Sequence, residues 1–329
     1  MRCVLAILIV FLHSFTCYNG SWAEPLGYID IPAYKWLARV SFAFTLEAFV
    51  FISGYLFAFQ RITLKRRNGL FSLVTSKLKR LLLPSIVFST FYYFLFFKNK
   101  GCSDFVYSII NGCGHMWFLP MLFWCFVCEW LLEQIKINDG WKMVVLIILN
   151  LFNVISLPLR ISSAISFMVY FHGGFMVYKY AERIKKRITT KTLFLSWITF
   201  AIVYTVLRPL TDISIIEGSS FLSKVFTVIA SHGGQLLYSS IGTLAFYLSA
   251  VYYCQRHRLN SFTRRLADCC FGIYIFQQFV LQSLYYKTSF STFVGPYWLP
   301  WCGFLLAIVL SFIVTDLLLT TRIGKTLLG

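Results

Sequence analysis

The chain has 329 residues, of which 58% are hydrophobic and only 13% are charged, a composition that excludes an ordinary soluble domain. Several apolar runs reach about 18 residues or more, the length that a membrane-spanning helix needs. The net charge of +18 does not indicate a nucleic-acid partner, because Lys and Arg cluster in short segments between the apolar runs, where they act as topology signals.

Ten apolar segments predict an all-α polytopic membrane protein, with about ten transmembrane helices in one bundle. Backbone polar groups must be satisfied within each segment in lipid, so the spans should be helices. No internal repeat or long linker interrupts them, and we therefore predict a single integral membrane domain over residues 1–329. The predicted spans are 3–18, 36–60, 81–98, 116–133, 142–158, 162–180, 193–209, 236–254, 268–286 and 297–320.

The distribution of basic residues predicts the orientation of this bundle. If the N-terminus is cytoplasmic and the loops alternate, most of the 30 Lys and Arg residues lie on the inner side, mainly around residues 61–80, 179–191 and 256–265. Both termini are then predicted to be cytoplasmic, and the protein is predicted to lie in the cell membrane. The longest connection, 210–235, is expected outside as an interfacial or re-entrant segment.

The first apolar segment carries only two readily charged side chains, Arg2 and His13. In a helix, eleven residues bring them to within about 20° of one face and separate them by about 16 Å along the axis. That separation is about half of the hydrocarbon thickness of roughly 30 Å. With Arg2 at the membrane surface, His13 is therefore expected near the midplane, where a titratable group indicates a functional site.

The same segment is also consistent with a secretory signal peptide. A basic residue is followed by an apolar run, and Ser21-Trp22-Ala23 offers a small-x-small cleavage site. Cleavage there would remove Arg2 and His13 and leave nine spans. A His within the apolar run is uncommon in a signal peptide, and the loop charges already orient a bundle that keeps the segment.

Glu47 lies near the middle of the second predicted span, at a depth where a carboxylate needs a partner. His13 is expected at a similar depth on the preceding helix, and a carboxylate that holds a His fixes its tautomer and raises its basicity. We therefore predict a catalytic pair of His13 and Glu47. The alternative is a buried polar pair that only joins two helices.

A basic cluster, Lys77, Lys79 and Arg80, precedes Leu81-Leu82-Leu83-Pro84 at the inner end of the third span. Such groups suit phosphate, and together with Arg2 they are candidate donor-binding residues. The alternative for Lys77 and Lys79 is an interaction with anionic lipid head groups.

His115 and Trp117 open the fourth span from the outside and are candidate acceptor-binding residues, because aromatic faces and imidazole bind sugar hydroxyl and C–H groups. An aromatic anchor with an incidental His is the alternative. His172 and His232 are interpreted as structural residues, and Asp316 is a buried acid without an obvious partner. Cys125 and Cys128 have no His or Cys ligands near them, so no metal site is predicted.

Taken together, these motifs resemble the acyltransferase-3 family of integral membrane O-acyltransferases. Arg2 and His13 match its Arg-(ten residues)-His signature, and Glu47 stands where many members place an acid. Residues 77–84 resemble its basic-Leu-Leu-Pro element, and 115–119 resemble the His-x-Trp-Phe-Leu of sugar O-acetylases. In the ninth span Gln277 stands where many members have His, which is a departure from the family pattern.

The resemblance implies transfer of an acyl group, acetyl above all, from acyl-CoA to a sugar hydroxyl of a cell-envelope polysaccharide or lipid-linked glycan. Acyl-CoA is then a co-substrate, and no cofactor is expected to stay bound. The alternative is a transporter or flippase for sugar lipids, in which Arg2, His13 and Glu47 form a proton or substrate path.

Overall fold

The computed structural model describes residues 1–66, 69–97, 101–153, 156–180, 188–211, 221–257 and 260–329, without the side chains of 221, 222 and 224. All regular structure in these ranges is helical, so the all-α prediction is confirmed. The basic clusters predicted around 61–80, 179–191 and 256–265, and the connection predicted at 210–235, lie partly outside the described residues.

The α-helices are numbered in chain order. They are α1 Arg2–Ser14, α2 Pro32–Phe42, α3 Thr45–Ala58, α4 Leu70–Lys77, α5 Leu83–Phe96, α6 Cys102–Asn111, α7 Phe118–Gln134, α8 Asp139–Leu151, α9 Ile161–Lys179, α10 Thr190–Thr211, α11 Phe221–Arg256, α12 Ser261–Tyr286, α13 Phe290–Val294, α14 Leu299–Leu319 and α15 Arg322–Leu328. Helices α2 and α3 divide the predicted span 36–60, and α4, α6, α13 and α15 lie outside the predicted spans. Single π-helical turns follow α3 (Phe59–Thr63) and α4 (Leu78–Leu82), and 3-10 turns lie at Thr16–Asn19 and Gly114–Trp117.

Six helical stretches within the described ranges are long and apolar enough to cross a membrane. They are Pro32–Thr63, Gly114–Gln134, Ile161–Lys179, Thr190–Thr211, Val225–Arg256 and Leu299–Leu319. The other four predicted spans coincide with α1, α5, α8 and α12, which are shorter or less apolar, so the count of ten is not confirmed. Residues 221–235, predicted to belong to a connection with an interfacial or re-entrant segment, belong instead to the 36-residue helix α11.

The chain divides into two compact units. Unit 1 comprises Met1, Ala43–Phe71 and Trp124–Arg258, and unit 2 comprises Arg2–Phe42, Ser72–Phe123 and Leu259–Gly329.

Unit 1 is built on the close approach of α3 and α9. A Cβ atom added to Gly54 would lie 1.9 Å from the carbonyl oxygen of Phe171, and one added to Gly174 would lie 1.9 Å from that of Phe51. Glycine at both positions therefore lets the two backbones touch, which is the usual way in which membrane helices pack tightly. Helices α10 and α11 form the second large contact of this unit.

Unit 2 has α12 at its centre, packed against α1 and α14. Tyr285 on α12 is fully buried and donates a hydrogen bond to the carbonyl of Ser14, 2.8 Å away, which ties the end of α1 to α12. Asp316, for which the sequence indicated no partner, forms a bidentate ion pair with Arg265, with Nε to Oδ1 at 2.8 Å. Asn260 caps α12 by accepting a hydrogen bond from the backbone N–H of Thr263.

Candidate functional site

Helix α1 carries the two residues that the sequence singled out. Its buried side includes Leu5, Ile9 and Leu12, and His13 lies near its C-terminal end with only 9% of its surface exposed. Arg2, at the other end, is exposed. The predicted helix is confirmed. It carries a cationic side chain at its N-terminal end and a buried imidazole near its C-terminal end.

Gln277 on α12 is the hydrogen-bond partner of His13. Its Nε2 lies 2.9 Å from Nδ1 of His13, and its own side chain is completely buried. With the amide placed this way, Nε2 donates to Nδ1, and the neutral imidazole carries its proton on Nε2. Rotation of the amide by 180° would instead let Oε1, which has no partner among the described residues, accept from Nδ1–H. An amide can therefore hold either tautomer of His13.

His115 lies beside His13 in the same buried cluster, rather than at an open outer mouth. The two ring centroids are 6.3 Å apart, and His115 is only 4% exposed. Its Nε2–H donates to the carbonyl of Ile275, 2.9 Å away, and the hydroxyl of Tyr274 donates to the carbonyl of His115. Because Nε2 holds the proton, Nδ1 of His115 carries a lone pair, and it has no partner among the residues described.

Two tryptophans occupy different positions relative to this cluster. The indole of Trp22 stacks on the His13 ring at a centroid distance of 6.1 Å and an interplanar angle of 6°. Trp117 is half-buried, and its ring contacts Phe118. The sequence singled out Trp117 and missed Trp22, because nothing in the local sequence indicates that the segment after α1 folds back over His13.

The predicted donor-binding cations gather in unit 2. Lys77, at the end of α4, lies within electrostatic range of both Arg80 and Arg2. Burial, together with the positive charges of Arg80 and Arg2, lowers the pKa of Lys77 to about 8. Arg80 and Lys79 lie on the π-helical turn between α4 and α5, and both are exposed. Three like charges held this close favour an anionic ligand.

A family model described as an acyltransferase domain, that of the acyltransferase-3 family, matches residues 1–320 and so spans both units. The chain belongs to the acyltransferase-3 family. A search of curated proteins found no match, and neither did a search of solved structures. Membership of this family and the long apolar helices together make the protein a membrane acyltransferase.

Glu47 of this acyltransferase-3 member belongs to unit 1 and is described with that unit. It is 5% exposed on α3, and its Oε2 has no hydrogen-bond partner in the described part of the chain. Tyr170 and Tyr238 lie within electrostatic range of its carboxyl group. Its predicted pairing with His13, which belongs to unit 2, stays a prediction.

A buried carboxylate–histidine pair in unit 1 was not anticipated from the sequence. Nδ1 of His172, on α9, lies 3.0 and 3.1 Å from the two carboxylate oxygens of Glu129, on α7. Both side chains are buried, and the Nε2 of His172 has no partner among the described residues. The sequence analysis interpreted His172 as a structural residue and did not predict this partner, which lies 43 residues away in sequence.

Proposed function

We propose that this protein transfers an acetyl group from acetyl-CoA to a sugar hydroxyl of a cell-envelope polysaccharide or lipid-linked glycan. The observation that carries the proposal is the buried cluster of His13, Gln277 and His115, in which His13 lies on the helix whose other end carries Arg2. A buried imidazole with an oriented ring is what general-base chemistry requires, and a cationic end on the same helix suits a phosphate-bearing donor.

The donor is proposed to bind through its phosphates at Arg2, Lys77, Lys79 and Arg80. Arg2 and Lys77 share an electrostatic environment with Arg80, which supports one anion site rather than separate surface charges. From there the pantetheine arm of acetyl-CoA would extend along α1 toward His13. The rise of α1 between Arg2 and His13 is about 16 Å, a distance suited to an extended arm.

His13 is proposed to accept the proton of the acceptor hydroxyl while its oxygen attacks the thioester carbonyl. The tetrahedral intermediate then collapses, the C–S bond breaks, and the CoA thiolate takes the proton from His13. No proton is gained or lost overall. His115 and Trp117 are proposed to contact the acceptor, and Glu47 stays a candidate for orienting His13.

The proposed membrane arrangement keeps ten spans in the cell membrane, with both termini cytoplasmic. Helices at all ten predicted positions support it, as does the placement of Lys and Arg on one side of the alternating segments. In this arrangement the Arg2 end of α1 faces cytoplasmic acetyl-CoA.

The test uses membranes that contain the full chain, labelled acetyl-CoA and crude envelope glycan. We expect the wild type to label the glycan, and His13→Ala to lower the rate by about 100-fold or more, because general-base catalysis contributes about 10²–10⁴. Arg2→Ala should also abolish labelling through loss of donor binding.

The matched control is His257→Ala, because His257 is exposed at the end of α11 and is not part of the cluster. All variants must reach the membrane in equal amounts. Unchanged labelling by His13→Ala would remove His13 from catalysis, and transport of a sugar lipid without any labelling would favour the flippase alternative.

A further inference from the structure

A polar cavity of about 270 Å³ lies within unit 1, around Glu47. Side chains of α3, α8, α9 and α11 line it together with the residue Asn153. They are Glu47, Asn150, Asn153, Ser163, Ser166, Phe167, Tyr170, His232, Gln235 and Leu236. The volume is slightly below the usual range for small-molecule sites, about 300–1,000 Å³, so it suits one small ring rather than a long chain.

Hydrogen bonds within the protein leave this cavity rich in acceptors. Nδ2 of Asn150 donates to the carbonyl of Ser166, and Nδ2 of Asn153 donates to the carbonyl of Ser162 and the hydroxyl of Ser166. These bonds fix the amide orientations, so that Oδ1 of each amide is an acceptor beside the cavity. His232 donates from Nδ1 to the carbonyl of Leu151, which leaves its Nε2 as a further acceptor.

The charges around the cavity indicate what kind of ligand fits these acceptors. None of its lining residues, all within the described ranges, is Lys or Arg, and the buried carboxyl of Glu47 has an unpartnered Oε2. A phosphate or carboxylate would meet no cation among these lining residues. A neutral ligand with several O–H donors would instead satisfy the acceptors, and Phe167 and Tyr170 offer ring faces to its C–H groups.

An apolar cavity of about 530 Å³ adjoins the polar one and shares Tyr170 and Leu236 with it. Its other lining residues are mostly aliphatic or aromatic and include Phe51, Ile147 and Leu244. Gly173 and Gly233 also line it, which keeps the space open. The pair of cavities therefore offers acceptors at one end and hydrocarbon at the other.

We propose that these adjoining cavities hold one amphiphile, an uncharged glycolipid whose sugar occupies the polar cavity and whose hydrocarbon chain occupies the apolar one. The inference deepens and rests on the proposed function, because it makes the acceptor a lipid-linked sugar. Asn150, Asn153 and His232 bind its hydroxyl groups, and Glu47 lines the same cavity.

The test is photocrosslinking of the full chain in phosphatidylcholine nanodiscs with a decyl glucoside that carries a diazirine on its alkyl chain. We expect label on Met143, Ile147 and Leu244, which line the apolar cavity. Unlabelled decyl glucoside should displace it, whereas decanol and decyl phosphate at the same concentration should not. Label elsewhere, or equal displacement by decanol, would overturn the proposal, because the cavity would then accept any lipid chain.

Two substitutions fill the cavities separately. Ser163→Leu places a side chain in the polar cavity, and Gly173→Leu places one in the apolar cavity; each should lower labelling by about tenfold or more. Ser163→Ala and Gly173→Ala are the matched controls and should keep labelling within about twofold. A Cβ at Gly173 meets nothing closer than the Cε of Met143 at 3.8 Å, so the Ala control fits.

Labelling of Ser163→Leu or Gly173→Leu at the wild-type level would overturn the inference. Displacement by decyl glucoside and by decanol is measured on the wild-type chain, so it still tests the proposal if a variant fails to fold. The labelling is independent of acetyl transfer, so displaceable label without transfer would contradict the proposed function alone. If Gly173→Leu transferred acetyl to a lipid-free glycan at the wild-type rate, this inference alone would be contradicted.

Discussion

Among single residues, Gln277 has the most direct contact with the proposed base. A carboxylate would hold His13 as the Nδ1–H tautomer, whereas an amide can donate to Nδ1 or accept from it. Gln277 is completely buried and its Oε1 is unsatisfied in the described part of the chain, so the present arrangement leaves hydrogen-bonding capacity unused. We regard Gln277 as a positioning residue, because it touches His13 and not the reacting atoms.

Substitution of Gln277 separates positioning from binding. Gln277→Leu should lower kcat by about 10- to 100-fold and leave KM for acetyl-CoA within about twofold, because the tautomer of His13 is no longer held. Gln277→Glu should restore most of the rate, since its carboxylate accepts from Nδ1–H. Steady-state kinetics in nanodiscs measure both constants.

Gln134→Leu, at an exposed position of α7, is the control and should match the wild type. If Gln277→Leu raised KM as much as it lowered kcat, or if Gln277→Glu were as slow as Gln277→Leu, the positioning role would be wrong.

Lys77 makes donor binding depend on pH. Burial and the charges of Arg80 and Arg2 lower the pKa of Lys77 to about 8, so the free protein loses this charge as the pH rises through 8. A bound phosphate favours the protonated amine, so binding and protonation are linked. KM for acetyl-CoA should therefore rise between pH 7 and pH 9, as steady-state assays across this range would show.

Lys77→Arg supplies the comparison, because a guanidinium stays charged throughout this range. Its KM should be nearly constant from pH 7 to pH 9, and Lys77→Met should have a high KM at every pH. The same rise in Lys77→Arg as in the wild type would assign the titration to another group.

At the scale of elements, the contact between α3 and α9 depends on Gly54 and Gly174. A Cβ atom at Gly174 would lie 1.9 Å from the Phe51 carbonyl oxygen, so the backbones must separate to accept it. Gly174→Ala should therefore lower the free energy of unfolding by about 1–3 kcal/mol, the usual cost of overpacking. Thermal unfolding in detergent or nanodiscs measures the change as a lower midpoint.

The neighbouring residue gives a matched control on the same helix. A Cβ at Gly173 makes only ordinary contacts, and Ala has the higher helix propensity by about 1 kcal/mol. Gly173→Ala should thus unfold at the wild-type temperature or slightly above it. Equal destabilisation by both substitutions would show that helix propensity or chain flexibility, and not the close approach, is responsible.

Local sequence was sufficient to predict most helices but not their lengths. Apolar periodicity located α1, α9, α10 and α14 within a few residues. It began α11 too late, because His232, Gly233 and Gly234 were taken for a connection. Contacts with α10 and α8 support that stretch as helix, and a single sequence does not contain such tertiary information.

For the whole molecule, two side-chain contacts that sequence reasoning missed join residues that are distant in the chain. His13 and Gln277 are 264 residues apart, and Arg265 and Asp316 are 51 apart. Arg2 and His13 were identified because such residues are unusual in an apolar segment, and Lys77 because it belongs to a basic cluster with Lys79 and Arg80. Gln277 was noticed only as a departure from a family pattern, and its contact with His13 required the fold.

The length of α11 bears on how a ligand would reach unit 1. Its 36 residues extend about 54 Å, against a hydrocarbon layer of about 30 Å, and no tilt in the usual range brings the whole helix inside. If Arg256 marks the cytoplasmic boundary of the hydrocarbon layer, about 20 helical residues cross the layer, and its opposite boundary lies near Leu236. His232 and Gln235 then lie level with the lipid head groups, and Leu244 lies among the acyl chains. A glycolipid would therefore enter sideways from its own leaflet, at its resting depth, without being lifted out of the membrane.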